Sequence, residues 1–363
     1  MNPSDSADER DGRDGQARDG PATVRTDGSG ERAAAFKAGT DYSMGRADRI
    51  REIYDKKFYA PLRILMSDYR GIFGVSILMM YLLMGTVGVV LIPEPSQAGP
   101  SLLPPFQDLQ FPLGTGPSGK GLFRMVVHAT PRMLKLMAGG VVFSTALGVG
   151  VGTVAGYKRG TIDRVLMTVA DTALNLPGLP LLLVLVAILQ PSDPFVIGVV
   201  LSINAWAGAA RSLRSQVLQL RKESYTEASR AMGASTSQNI QRNILPNLLP
   251  LITIGVMSSL RSIVFSAVGL YFLGVLPINF LNWGVMLNMS YQSINLATMT
   301  NIHYLLVPLV TISLFGMGAT FMAQAFDRVF NPRLRAKYAR TIVGGDGDDT
   351  NEAGDASKEV MLQ

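Results

Sequence analysis

Three intervals of this chain contain no lysine or arginine: Gly71 to Gly119, Val165 to Ala210 and Phe272 to Asp327. Apolar runs of ~20 residues lie within and beside them, the length an α-helix needs to cross the hydrocarbon core of a bilayer. In hydrocarbon each backbone N–H and C=O must be satisfied within the protein, so long apolar runs of this kind form helices. Six runs qualify: 72–92, Leu136–Gly156, Val165–Leu189, Phe195–Ala210, Leu248–Leu270 and Tyr304–Ala325. The reading is an all-α membrane protein with six transmembrane helices.

Charge orients the six runs. Lys and Arg collect on cytoplasmic loops. Here they sit at Lys158, Arg159 and Arg164, then at Arg211, Arg214, Arg221, Lys222, Arg230 and Arg242, then from Arg328 to Arg340. Six spans with both termini cytoplasmic satisfy this pattern, except for Lys120, Arg124, Arg132 and Lys135 just before the second run. Those four are expected on an outer-face amphipathic helix. The net charge of +6 is uneven. Residues 1–40 carry eight acidic against six basic groups, and residues 344–363 carry six against one. The basic remainder is read as topological and not as a nucleic-acid footprint, because no soluble basic domain is visible. The sequence divides into a disordered acidic N-terminal tail (1–40), a cytoplasmic amphipathic segment (41–71) and the first span (72–92). An extracellular loop (93–135), a helical core (136–335) and an acidic C-terminal tail (336–363) follow. No cleavable-signal pattern opens the chain.

With 48% hydrophobic and 17% charged residues, the composition is that of a membrane protein. Cysteine is absent, which excludes disulfides and thiolate metal sites. The two histidines, His128 and His303, are far apart and have no ligand cluster beside them, so both are read as packing or interfacial residues. No metal site, catalytic site or cofactor is expected on this chain.

Two phosphate-binding look-alikes are set aside. Gly114 to Gly121 nearly matches G-x-x-x-x-G-K-[ST], but Gly121 stands where a magnesium-binding hydroxyl belongs, and no βαβ pattern surrounds it. Gly150, Gly152 and Ala155 match a dinucleotide fingerprint inside an apolar run. Gly148, Gly152 and Gly156 recur every four residues there, which lines small side chains along one helix face for close packing in lipid.

The longest polar interval within the core is Glu223 to Asn247. Ser224 to Glu227 fits a capping box and Ser235 to Gln238 a second one. Tyr225, Ala228 and Met232 share one helical face, with Glu223, Glu227 and Arg230 off it. Gly233 is placed to end the first helix in the left-handed conformation. Ile240 and Ile244 give the second helix an apolar face before Leu245-Pro246. Inside the spans, Asp171 and Arg261 are charges in an expensive place and are functional candidates on that ground. They are candidates to line a translocation path, or to pair with an acidic or basic group, including each other. Trp283 and Gly284 lie in the long polar-aromatic connection from Tyr271 to His303. Trp283 is read either as part of an outer gate or as an interfacial anchor.

The polar interval resembles the "EAA" loop of ABC-importer permeases, here Glu227-Ala228-Ser229, Gly233, Ile240 and Leu245-Pro246-Asn247. Serine replaces the second alanine, and Asn243 stands where many peptide-type permeases have histidine. Phe111-Pro112-Leu113-Gly114-Thr115 is similar to the H-P-L-G-T-D segment of the peptide type, with Gly116 at the aspartate and Lys120 at the usual arginine. Trp283-Gly284 and Asn331-Pro332-Arg333-Leu334-Arg335 match the family's W-G and its D-P-R-L-R close. The resemblance runs from about Phe111 to Arg335 and is to the C-type permease of dipeptide, oligopeptide or nickel importers. It implies the type I ABC-importer permease fold, with 223–247 as cytoplasmic coupling helices that dock on an ATPase through Glu227, Ala228, Gly233, Ile240, Leu245 and Pro246. It also implies a homologous permease subunit, two cytoplasmic ATP-binding subunits that hold ATP and magnesium, and an extracellular solute-binding protein as partners. Family members often carry glutamate near Ala267, which would leave Arg261 without that partner. The cargo (peptide, nickel or oligosaccharide) stays open. Two other classes stand beside this one. An ion-coupled secondary transporter or channel would carry inverted repeats and intramembrane carboxylates. A membrane-embedded enzyme would need a catalytic cluster, and the sequence shows none.

Overall fold

The structure is a computed structural model that describes residues 65, 66, 68–293 and 301–330. The expected tails, most of segment 41–71 and the Asn331–Arg335 match lie outside the described residues. Ten helices are named here in chain order. Helix α1 (Tyr69–Leu91), α2 (Leu122–Lys158), α8 (Thr236–Phe272) and α10 (Ile302–Phe330) are each long and apolar enough to cross a membrane. Two further crossings are bent pairs: α3 (Gly160–Asn175) with α4 (Gly178–Leu189) at 90°, and α5 (Pro194–Leu201) with α6 (Ala205–Leu220) at 56°. Counting each pair as one gives six spans, as the sequence implies. Helix α7 (Ser224–Ala231) and α9 (Trp283–Ser293) lie in the connections. Among the described residues no strand forms; the 93–121 loop is held by isolated bridges, Gln97 to Lys120 and Thr115 to Gly121.

Several boundaries differ from the sequence reading, each for a local reason. The second span does not begin at Leu136. Helix α2 runs 37 residues, about 55 Å at 1.5 Å per residue, and so exceeds the hydrocarbon core. Of the four cations expected on an amphipathic helix, Arg124, Arg132 and Lys135 lie on one, continuous with the span, whereas Lys120 precedes it in the bridge to Gln97. The three on the helix are held over Phe111, over Phe280 and against Asp193, respectively. Asp193 also caps α5, accepting from the Phe195 amide at 2.8 Å, with Pro194 at the first helical position. The hydrogen bond from Lys135, assisted by that amide, holds the Asp193 carboxyl below the usual carboxylate range.

The third span is not straight because Pro177 disfavours the helical region for Leu176, which turns out to ψ 130°. Within the 271–303 connection lies α9.

Helix α2 is the central post. Helix α6 packs along it at Gly148, Gly152 and Gly156, where an added Cβ would come 2.9 Å from the Ala209 Cβ, 2.5 Å from the Ala210 carbonyl and 2.7 Å from the Val217 Cβ. The small-residue stripe is thus a helix-packing face, as its spacing predicts. By contrast, nothing lies within 4 Å of a Cβ at Gly150. Helix α5 crosses α2 still more tightly, a Cβ on Gly198 falling 1.9 Å from the Leu136 carbonyl and one on Gly139 falling 2.1 Å from that of Phe195.

Over this post the main core closes. Tyr81 of α1, Trp283 of α9 and Phe315 of α10 form a ring cluster with centroids 5.2 to 5.5 Å apart. Tyr81 donates its hydroxyl to the Thr311 carbonyl at 2.6 Å, and Trp283 donates its indole N–H to Thr130 at 3.2 Å. Pro308, inside α10, has no N–H for the Tyr304 carbonyl four residues back. The buried Ser290 hydroxyl of α9 is 2.7 Å from that carbonyl and 2.7 Å from the Met286 carbonyl and shares its one proton between them, so α9 helps to satisfy the group the proline leaves.

Candidate functional site

The hairpin between α6 and α8 is built from its caps outward. Glu223, extended at ψ 141°, precedes α7, and no side-chain cap forms there. The expected Ser224–Glu227 capping box is therefore absent: the helix begins one residue early and Ser224 lies inside it. Thr226 holds the entry instead. Its side chain is fully buried, and its hydroxyl donates to the Leu220 carbonyl at 3.0 Å, tying the first turn of α7 to the end of α6. At the other end Gly233 has φ +83°. Its N–H donates to the Arg230 carbonyl at 2.9 Å, and that of Ala234 donates to Ser229 at 3.1 Å, the paired bonds of a Schellman ending. The second box forms as read: the Gln238 amide donates to Ser235 Oγ at 3.2 Å, and the Ser235 amide donates to Gln238 Oε1 at 3.0 Å.

Leu245-Pro246 does not end the second helix. A π turn over Ile240–Ile244 widens the helix just before Pro246, and α8 passes through into the fifth span as one body of 37 residues. The wide turn, in which the Leu245 amide donates to the Ile240 carbonyl, moves the preceding backbone off the proline ring. The apolar face read at Ile240 and Ile244 packs inward: Ile244 and Leu248 are fully buried with Leu213, Val217 and Tyr157.

Tyr157, at the end of α2, is the residue sequence reasoning missed. Arg230 of α7 stands over its ring at 5.0 Å and donates to its hydroxyl at 3.3 Å. Arg221 stands over the same ring at 5.8 Å and donates to the Tyr157 carbonyl at 2.8 Å. Burial, with Arg230 and Arg159 nearby, pulls Arg221 below its ordinary value. Two cations on one ring fix the hairpin to the bundle.

On the opposite side of α7 the Tyr225 hydroxyl accepts from the Asn247 side-chain amide of α8 at 3.3 Å, and Ala228 and Met232 join no apolar cluster among the described residues. Tyr225, Glu227, Ala228 and Met232 are exposed, Met232 at 81%. Of the sequence-predicted hairpin residues, Glu227, Ala228, Gly233 and Pro246 are exposed, whereas Ile240 and Leu245 are half-buried.

The intramembrane candidates separate. Asp171 does not meet Arg261: its carboxylate pairs with Arg211 of α6, and about two helix turns away Asp163 is held at two points by Arg214, one of them at 2.7 Å. These pairs lace α3 to α6. Arg261 instead donates to the Thr320 hydroxyl at 3.3 Å. Its helix shows two faces. Ile263, Val264, Ala267 and Tyr271 are buried, whereas Gly255, Ser258, Arg261, Ser262, Phe265 and Ser266 are exposed. At 100° per residue those six fall on one side. A cavity of ≈ 320 Å³ opens along an edge of that side between α2, α6 and α8, and Ser144, Thr145, Ser212, Ser258 and Ser259 bring hydroxyls to its wall. Trp283 and Gly284 are both buried. An interfacial-anchor role for Trp283 is corrected by its place in the core, and a Cβ on Gly284 would meet that of Tyr271 at 2.7 Å.

Six crossings, a polar hairpin continuous with the fifth and a polar face inside the membrane define a multi-pass membrane permease. Residues 148–336 match the family model described as the binding-protein-dependent transport system inner membrane component, and the chain belongs to that family. It is 30% identical to the dipeptide transport system permease protein DppC of Bacillus subtilis over 280 residues, 75% of this chain and 85% of the relative. The oligopeptide transport system permease protein OppC of the same organism is 29% identical over 50% of this chain and 59% of its own length. The glutathione transport system permease protein GsiD of Pectobacterium atrosepticum is 28% identical over 62% and 73%.

Proposed function

We propose that this chain imports di- or oligopeptides as one permease of an ATP-driven transporter, and that α7 and the start of α8 couple it to a cytoplasmic ATPase. The observation that carries the reading is the bare apolar face of α7, mounted on a helix that runs unbroken from the hairpin into the fifth span. Among the described residues Tyr225, Ala228 and Met232 join no apolar cluster of this chain, Tyr225 touching α8 only through its hydroxyl, so their apolar surface is available to seat in a groove of another subunit. Force applied there crosses the Gly233 turn, held by its paired backbone bonds, into α8, which runs unbroken into the membrane, and Arg221 and Arg230 on Tyr157 carry it to α2. The polar face of α8 supplies the path, because a Gly/Ser/Arg surface is ill suited to lipid. The peptide cargo follows the relatives' names. The hairpin end and both termini are cytoplasmic in this reading, by the distribution of Lys and Arg. A second, homologous permease covers the polar face of α8, and an external solute-binding protein delivers the cargo. Two ATP-binding subunits hold the ATP and magnesium, and this chain needs no cofactor of its own. The outer gate is α9 as a unit, with Trp283 its buried pivot and Gly284 the point of close contact with α8.

The test is ATP hydrolysis by the complex assembled with its ATPases, comparing wild type with Ala228→Arg and Met232→Asp. Both positions are exposed, so the permease itself folds. Loss of co-purification, or a fall of at least ~10-fold in cargo-stimulated hydrolysis, is the expected result. Normal assembly and hydrolysis in both variants would remove the hairpin from coupling.

A further inference from the structure

Arg261 is the one cation of the α8 polar face, and the surrounding structure accounts for its contacts. Four carboxylates in or capping the bundle are matched to cations of this chain: Asp68 to Arg328, Asp163 to Arg214, Asp171 to Arg211 and Asp193 to Lys135. Arg261 has no carboxylate partner among the described residues, where its hydrogen bond goes to a neutral hydroxyl, that of Thr320. A guanidinium has five N–H donors in a planar fork suited to two carboxylate oxygens at once. Arg261 is exposed, on the same side of α8 as Ser258, Ser262 and Phe265. A cation so placed is costly without a counter-charge or water. The cavity between α2, α6 and α8 borders the same exposed side at Ser258 and brings polar groups to it.

We propose that Arg261 is an anion-contact point in the translocation path, where it takes a carboxylate of the passing solute. The inference rests on the path reading of α8 and adds to it the charge class of the cargo group recognised there. A peptide's terminal carboxylate has that chemistry. Binding is transient because one fork and neutral serines hold the anion without a second cation, so the site attracts without trapping.

The chain has no cysteine, so a single introduced thiol is the only one on it. Ser258→Cys places that thiol about one helix turn from Arg261, on the exposed face. In the assembled importer, its modification rates by the anionic sulfonatoethyl and the cationic trimethylammonium-ethyl methanethiosulfonates are followed by mass spectrometry of this chain. Each is divided by the rate with a free thiol. Any effect of Arg261 on thiolate content acts on both reagents alike, so their ratio reports the field at the site. The expected ratio favours the anion and falls about tenfold when Arg261→Gln is added, with Arg261→Lys retaining most of it. A reactive thiol whose ratio ignores Arg261→Gln overturns the anion contact and leaves the path standing; a carboxylate of another subunit neutralising Arg261 would give that result. A thiol inert to both reagents overturns the path along with the inference, while hairpin coupling is judged separately by hydrolysis.

Discussion

At residue scale, the hairpin depends on backbone conformations that few residues tolerate. Gly233 sits at φ +83° in open space, with nothing within 4 Å of a Cβ built there. Gly233→Ala therefore meets no clash, and its whole effect is the left-handed penalty of about 1–2 kcal/mol. Confined to one joint, that penalty loosens the end of α7 and leaves the bundle intact. The expected outcome is faster amide exchange over residues 230–234 with unchanged thermal stability of the spans in detergent. The joint was legible because a glycine between two short amphipathic segments has few other uses. The first cap was not. Ser224 through Glu227 has the composition of a capping box, but Thr226 also has a hydroxyl, and the Leu220 carbonyl it reaches exists only once α6 has been extended to Leu220. Tyr157 was equally hidden. An aromatic at the end of an apolar run looks like the edge of a span until two arginines, 64 and 73 residues on, arrive over its ring.

At element scale, the contrast between neighbouring glycines of α2 gives a matched test. Gly152 faces α6 with the Ala210 carbonyl 2.5 Å from a would-be Cβ, whereas Gly150 faces open space two residues away. Gly152→Leu must push α6 off the post and break the packing that aligns the Asp163–Arg214 and Asp171–Arg211 pairs. The expected result is loss of folded protein after detergent extraction, a penalty of at least ~3 kcal/mol by overpacking. Gly150→Ala should instead match wild type or improve on it, helix propensity favouring alanine by up to ~1 kcal/mol. Equal yields for the two variants would mean that α2 and α6 do not cross at Gly152. Span existence and this stripe were readable from hydropathy and a four-residue spacing. The bends at Leu176 and Ser202 and the π turn before Pro246 were not, because hydropathy integrates over a window and is blind to direction. Pro246 looked like a terminator, and only the widened turn lets the helix continue past it.

At the scale of the whole molecule, orientation and coupling are one question, because a lever is useful only on the side where ATP is. In the proposed orientation, which rests on the Lys and Arg pattern, the hairpin and both termini are cytoplasmic and the 93–121 loop is outside. The bent pairs make that assignment depend on each acting as a single crossing. If either were a re-entrant loop, the count would fall to five and the two termini would lie on opposite sides. Single cysteines decide it, again because the chain has none of its own. Gln107 and Ser237 are both exposed, Gln107 in the loop and Ser237 in the hairpin, and Ser4 lies near the N-terminus. With an impermeant maleimide on intact cells, Gln107→Cys should label, whereas Ser237→Cys and Ser4→Cys should label only after the membrane is opened. Labelling of Ser4→Cys in intact cells with Ser237→Cys still protected would place an odd number of crossings between them. Both bent pairs lie between those positions, so that result would identify one of them as re-entrant. Labelling of Ser237→Cys in intact cells would be more severe, since it would put the bare face of α7 on the side without ATP and end the coupling reading whatever the family resemblance.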